Sequence, residues 1–303
     1  MTDDKTIADP GRRRHLCTAA AAVLGAGCSF TDEDHRGADA PVSAQGAGSP
    51  RTAWVFGSGG PRGFVHVGVI KALAELGLRP DLVVGASVGS LVGVLLAAGH
   101  DAAEIEAMAL DLSPVAMARL AVGGRERYSG SPIAELVQAM LLAKTGQTLL
   151  QGLPTPAACV ARRLSDGASV AFNRGDAGLA VQASSAIEGQ FAPVRIHGQR
   201  YGDADLSTPL PVRLARALGA QRVLAVDASA HEDRSPPGAM RWRESDLAKR
   251  ALIRPDAAAA DLLLHPDFGY YVSFSREFRE RAIAAGYHET LAAGARIRAL
   301  HAS

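Results

Sequence analysis

The apolar positions of this chain fall into short runs that alternate between two periods. From Arg51 onward, "TAWVFG" is a continuous apolar run of strand length that ends in glycine. Val65, Val69, Leu73 and Leu76 follow at helical spacing, and Gly77 supplies a C-terminal stop. "DLVVGA" reads as a second buried strand, and Val88 to Ala98 as an apolar helix closed by Gly99. Strand, helix, strand, helix in so little sequence implies parallel strands joined by right-handed crossovers. Residues 101–150 read as mainly helical, and "AACVA" and "ASVAF" as strands joined through a "SDG" turn. "PVRIHGQRY" reads as a hairpin turning at Gly198 and delivering the chain to Asp203. A helix from about Pro211 to Leu218 precedes the strand "RVLAVDA". Residues 231–256, charged and proline-containing, read as a surface excursion, and a C-terminal helix from about Arg276 turns Phe278, Ile283 and Leu291 inward.

Ahead of this body the periodicity is lost. Residues 29–50 are polar and rich in Gly, Ala, Ser and Pro, the composition of a flexible tether. Residues 1–28 read as an export signal. Arg12, Arg13 and Arg14 precede an uncharged, alanine-rich stretch that is short for a bilayer span. The Arg13-Arg14 pair resembles a twin-arginine signal. "LGAGC" resembles a bacterial lipoprotein box whose cysteine, Cys28, would carry the lipid, with Gly25 where a larger apolar residue is usual. The expected division is therefore a signal over 1–28, a tether over 29–50 and one α/β body over 51–303. An exported protein anchored in a bacterial membrane, facing the periplasm or the cell exterior, is the corresponding expectation.

Composition narrows the partners. The chain of 303 residues is 48% hydrophobic with a formal net charge of +1, so it has no basic surplus to neutralise nucleic-acid phosphates. Aromatic residues are only 5%, which argues against stacking platforms for single strands. The three cysteines are Cys17, Cys28 and Cys159, and with two of them in the leader no disulfide framework is expected.

Two glycine clusters carry the candidate chemistry. Gly85-Ala86-Ser87-Val88-Gly89 lies between an apolar strand and an apolar helix, the Gly-x-Ser-x-Gly pattern of a nucleophile elbow. Gly57-Ser58-Gly59-Gly60-Pro61-Arg62-Gly63 lies at the preceding strand-to-helix junction, where unpaired backbone N–H groups suit an anion. Two readings of that loop compete, a dinucleotide cradle and an oxyanion hole for acyl transfer. A cradle needs an acidic residue at the far end of the second strand. Asp81 is at the near end instead, and Ser87 occupies the far one, which favours the oxyanion hole.

Four ordered motifs together resemble the patatin-like phospholipases, especially their bacterial branch. They are Gly59-Gly60-Pro61-Arg62-Gly63, the elbow around Ser87, "VQASSAIEGQFAPV", and "YGDADLSTPLPV" with Asp203 in the position of the family's acid. The resemblance covers about Ala53 to Ala230 closely and the remainder loosely. It implies a three-layer α/β/α fold with a mainly parallel central sheet, and hydrolysis of acyl esters of phospholipids or lysophospholipids at a membrane surface. Ser87 would be the nucleophile and Asp203 its base, without a histidine relay. Gly59, Gly60, Arg62 and Gly63 would form the oxyanion loop, Gly85 and Gly89 the elbow, and no cofactor or metal is implied. Ala204 and Asp205 depart from the small residues usual after the acid, and Glu188 stands where proline is common. Those departures keep a lipid-binding relative without catalysis as the first rival, and a nucleotide-binding oxidoreductase as the second. A Ser–Asp–His order would call on His265 or His288, while His66 reads as a packed or capping residue. If residues 203–205 are extended, Asp203 and Asp205 share a face about 7 Å apart, and the Asp203 pKa would rise in a dry cleft and scarcely move in a wet one; the alternative is that Asp205 faces solvent or caps a nearby turn.

Overall fold

The computed structural model describes residues 29–30, 33–46, 48–113, 117–122 and 126–302. The signal reading and Cys28 lie outside the described residues. The strands are β1 (Ser29–Phe30), β2 (Asp34–His35), β3 (Thr52–Phe56), β4 (Leu82–Ala86), β5 (Arg119–Val122) and β6 (Tyr128–Ser129). They continue with β7 (Ala157–Arg163), β8 (Ser169–Phe172), β9 (Val194–Ile196), β10 (Gln199–Asp203), β11 (Arg222–Val226) and β12 (Leu262–Leu264). The α-helices are α1 (Phe64–Glu75), α2 (Val88–Ala97), α3 (Ala102–Asp111), α4 (Ser131–Thr145) and α5 (Ala177–Ser184). After them come α6 (Val212–Ala217), α7 (Arg243–Ala259), α8 (Arg276–Ala292) and α9 (Gly294–Ala302).

The main sheet runs β12-β11-β3-β4-β7-β10-β9-β2, with β8 paired to the other edge of β7. From β12 to β7 every pairing is parallel; the antiparallel pairs β7–β10, β10–β9 and β7–β8 all lie on the β7 side. Both faces of the parallel centre are buried, which is why its strands are continuous apolar runs rather than alternating ones. Trp54, Phe56 and Val83 face a core shared with α1, α2, α4, α5 and α8. Ala53, Val55 and Val84 face a second core shared with α6 and with Ile253 of α7. The result is a three-layer α/β/α arrangement with a mainly parallel central sheet. On the first face α1 and α8 touch backbone to backbone. A Cβ at Gly68 would lie 1.8 Å from the Ile283 carbonyl oxygen, and one at Gly286 2.2 Å from that of Val65.

Register along β7 decides where the chemistry falls. β4 runs parallel to β7 and ends with Ala86 opposite Val160. β10 runs antiparallel along the same edge and ends with Asp203 opposite Ala161. The two strands are laid end to end and run toward each other, so Ser87, the next residue after β4, meets Asp203. A separation of 116 residues in sequence is closed by one strand edge.

Several expectations need correction. The extended alternative for residues 203–205 does not hold: after Asp203, residues 204–206 form a turn of 3-10 helix that Asp203 caps. Within residues 231–256, expected to be a surface excursion, a helix begins at Arg243 and persists through Pro255 to Ala259. β12, β5 and β6 fall on segments whose apolar runs are too short to signal a strand. Part of the expected tether lies along the body: β2 pairs with β9, Val42 bridges Arg174, and Ala40 is buried. Short polar pairings of that kind draw on backbone groups and leave no apolar period in the sequence.

Candidate active site

Ser87 sits between the end of β4 and the first turn of α2, with φ 54° and ψ −126°. A non-glycine residue rarely adopts that conformation, and holding it costs about 1–3 kcal/mol. Its surroundings enforce it. A Cβ at Gly85 would lie 2.3 Å from the Gly89 carbonyl oxygen, and one at Gly89 2.2 Å from that of Phe56. The two glycines are therefore steric requirements of the turn. Two further serines, not singled out in the sequence, pin it. Ser184 Oγ accepts from the Ser87 N–H at 2.9 Å and donates to the Val160 carbonyl at 2.6 Å. Ser90 Oγ donates to the Ser87 carbonyl at 2.6 Å.

The Ser87 hydroxyl donates to Asp203 Oδ2 at 2.6 Å, and both residues are buried. The Asp205 N–H donates to the other carboxylate oxygen at 2.8 Å. Burial pushes the Asp203 carboxyl up to about 7; the Ser87 hydrogen bond opposes the rise and the Asp205 charge adds to it. The candidate histidines are engaged elsewhere. His265 contacts the Ser229 carbonyl at 3.1 Å and stacks on His231, and His288 lies on α8. His66 is fully buried in α1, where its Nε2–H donates to the Gly57 carbonyl at 2.8 Å and burial lowers its pKa to about 4. It is a packed neutral histidine that fixes the start of the glycine loop.

That loop is anchored at both ends. The Gly57 N–H donates to the Val226 carbonyl at 3.0 Å and the Ser58 N–H to that of Pro209 at 2.8 Å. Gly60 has φ 52°, the left-handed conformation that glycine tolerates best. Among the described residues no carbonyl or side chain accepts from the N–H of Gly59 or Gly60. Arg62 orders the loop. Its N–H closes the turn onto the Gly59 carbonyl at 3.0 Å. Its guanidinium donates to the carbonyls of Gly269 and Tyr270 and lies over the Phe268 and Tyr270 rings. Arg62 therefore ties the loop to residues 268–271. Gly63 is required for space, since a Cβ there would lie 2.3 Å from Val88 Cγ1.

A cavity of about 760 Å³ opens beside Ser87. Gly60 and Pro61 form its wall at the loop, and Val67, Leu91, Met108, Ile133, Phe191 and Phe274 make the rest largely apolar. The arrangement combines a buried hydroxyl–carboxylate pair, two N–H groups without an acceptor among the described residues at the start of a 3-10 turn, and an apolar chamber. Such a set can attack a carbonyl carbon, hold the resulting oxyanion and accommodate a hydrocarbon chain.

Comparison with known proteins gives the same direction. Residues 54–216 match the family described as patatin-like phospholipase. An uncharacterized NTE family protein of Mycobacterium tuberculosis is 32% identical over 231 residues, which cover 75% of this chain and 64% of that protein. Lysophospholipase NTE1 of Saccharomyces cerevisiae is 28% identical over 194 residues, covering 60% of this chain and 11% of that protein. The chain thus spans less than two thirds of these relatives. Among solved structures, VipD from Legionella pneumophila superposes with a TM-score of 0.49 at 14% identity, over 89% of this chain and 71% of that one.

Proposed function

Since this chain belongs to the patatin-like phospholipase family, we propose that it hydrolyses acyl esters of phospholipids or lysophospholipids through a Ser87–Asp203 dyad. The observation that carries this reading is the 2.6 Å hydrogen bond from Ser87 Oγ to a buried carboxylate at the edge of an apolar cavity. Asp203 takes the Ser87 proton as Oγ attacks the ester carbonyl carbon. The negative charge that develops on the carbonyl oxygen is held by the N–H groups of Gly59 and Gly60, each donor contributing about 3 kcal/mol. The positive end of α2 lies behind Ser87 and favours the same charge. Collapse of the tetrahedral intermediate breaks the ester C–O bond, and the alcohol leaves with the proton from Asp203. Water then attacks the acyl-serine, giving its proton to Asp203; collapse breaks the acyl C–Oγ bond, and Asp203 returns the proton to Ser87 Oγ as the fatty acid leaves.

The acyl chain fits the apolar cavity, and the exposed apolar residues at its mouth suit a lipid surface. Leu120 and Phe274 line the cavity while remaining 64% and 45% exposed. Tyr271 and Val272 continue that lip, and Trp242 joins it through a ring contact with Tyr271. Aromatic residues of this kind favour the boundary between water and hydrocarbon. Among the described residues no helix is long and apolar enough to cross a membrane. A lipid anchor at Cys28 would hold the domain at its substrate, and multiple acylation is what makes such anchoring firm. Cys28→Ser is expected to move the protein from the membrane to the soluble fraction on cell fractionation; a variant still fully membrane-bound would remove the anchor from this reading.

The test of the activity itself is a lipid panel read by mass spectrometry. Pure protein is incubated with lysophosphatidylcholine, phosphatidylcholine vesicles and p-nitrophenyl butyrate. Release of fatty acid from at least one of the two lipids is expected, and turnover of the soluble ester alone, or of nothing, would overturn the proposal.

A further inference from the structure

Asp205 is a partly exposed carboxylate placed next to the buried carboxylate of Asp203, and α7 supplies what makes this tolerable. Lys249 Nζ donates to Asp205 Oδ1 at 2.6 Å and to the Ser58 carbonyl at 3.2 Å. Asp205 Oδ1 also accepts from the Ser58 hydroxyl. Through its own N–H, Asp205 holds Asp203 Oδ1. One ammonium group thereby joins three elements: the glycine loop, the turn after β10, and α7. Lys249 lies beyond the residues that match the family, 54–216, so the comparison assigns it nothing.

We propose that Lys249 and Asp205 act as one positioning pair, which clamps the loop carrying Gly59 and Gly60 against Asp203 and balances the second carboxylate beside the base. The proposal rests on the Ser87–Asp203 reading above. α7 is built to deliver this lysine. Its inward face is polar at helical spacing, with Asp246 accepting from the Tyr270 hydroxyl, Arg250 reaching Asp227 and Glu232, and Asp256 accepting from Arg213. Ile253, almost fully buried, holds the helix on the sheet among these contacts.

The charged groups that bear on Asp203 are Asp205 from its own turn and Lys249 from α7, with the Ser87 hydroxyl facing it from the elbow. Asp205 raises the Asp203 pKa and Lys249 lowers it. Burial pushes Asp205 upward too, but Lys249 and the Ser58 hydroxyl outweigh it and keep that carboxyl below its ordinary value. Removing Lys249 alone leaves the partly exposed Asp205 carboxylate beside Asp203 without its counter-charge. Removing Asp205 alone leaves the ammonium facing Asp203. The two single changes should therefore move the base in opposite directions.

The test compares pH profiles of kcat/KM on p-nitrophenyl butyrate, a soluble ester that needs no lipid surface, with thermal unfolding of each variant alongside. Lys249→Met is expected to move the acid limb to higher pH, with at least about a tenfold loss at pH 6.5 and a smaller loss at pH 9, because the rate on that limb follows the deprotonated fraction of the base. Lys249→Arg should retain the wild-type limb. Asp205→Asn should move the limb to lower pH, and the double variant Lys249→Met/Asp205→Asn should lie closer to wild type than Lys249→Met does. An unmoved limb in Lys249→Met, or a loss equal at all pH values that the second change does not relieve, would overturn the proposal. Should Lys249→Met fail to fold, the downward movement in Asp205→Asn decides, and its absence overturns the proposal equally. Ser87→Ala in the same assay separates the two readings: activity surviving there defeats the dyad, whereas loss there with an unmoved limb in Lys249→Met defeats only the pair.

Discussion

Ser87→Ala is expected to lower kcat/KM for ester hydrolysis by at least about a thousandfold, the scale seen when the nucleophile of a covalent mechanism is deleted. Its effect on the fold should be small and should depend on pH. The substitution removes one oxygen atom, whose hydrogen bond as donor goes to Asp203. Below the Asp203 pKa of about 7 the carboxyl is neutral, and loss of that donor should cost little. Above it the same loss leaves a buried carboxylate with one donor fewer, at a cost of about 1–3 kcal/mol. Thermal unfolding at pH 5.5 and pH 8.5 checks this, with a wild-type-like midpoint expected at the lower pH and a reduced one at the higher. A variant that unfolds equally early at both would point to a structural role for the hydroxyl, and one that keeps near wild-type activity would move the chemistry elsewhere.

Asp203→Asn should abolish activity to a similar degree and yet make the protein more stable at alkaline pH. The carboxyl titrates near 7 in the folded chain against an ordinary 3.8. Between these values the folded protein binds a proton that the unfolded chain has released. Stability of the wild type therefore declines as pH rises from about 4 to 7, and remains reduced above that. A difference of one in pKa corresponds to about 1.4 kcal/mol, so the penalty above pH 7 is at most on the order of 4–5 kcal/mol, and less as neighbouring charges readjust. Asparagine has the same shape without the charge. Melting temperatures of variant and wild type should converge near pH 4 and diverge in favour of the variant at pH 8.5. Equal melting temperatures at pH 8.5 would show that Asp203 is not a strained, buried base.

These two residues differ in how much of their setting is legible in the sequence. The elbow is legible because its constraint is local: Gly85 and Gly89 are dictated by backbone atoms within a few residues or on the adjoining strand. The parallel centre is legible for a related reason, since strands buried on both faces must be apolar without interruption. Asp203 is legible only through the motif around it. The geometry that joins it to Ser87 comes from β4 and β10 abutting along β7, a relation that no local pattern encodes.

α7 is hidden in the sequence because the usual signal of a buried helix face is an apolar stripe. Here the inward stripe is Asp246, Lys249, Arg250 and Asp256 with Ile253 between them, and Pro255 adds a false stop. The exposed face carries Leu247, so the periodicity is partly inverted. The environment of Asp205 is hidden for the same reason. Along the sequence it has only Asp203 for company; in the fold its main partner comes from 44 residues further on. The motif alone places Arg62 in the oxyanion loop without saying what its side chain meets. In the fold its N–H is consumed by the turn, and its side chain is turned toward the aromatic segment 268–271.

The most direct measurement is labelling with a fluorophosphonate probe across a pH series, followed by peptide mapping of the modified residue. Only a serine with an adjacent base reacts readily, so the reaction reports the dyad without any assumption about the lipid. The expected result is a single adduct on Ser87, with a labelling rate that rises through a midpoint near pH 7 as Asp203 loses its proton and falls to background in Asp203→Asn. An adduct on a different serine, or none at any pH, would contradict the dyad.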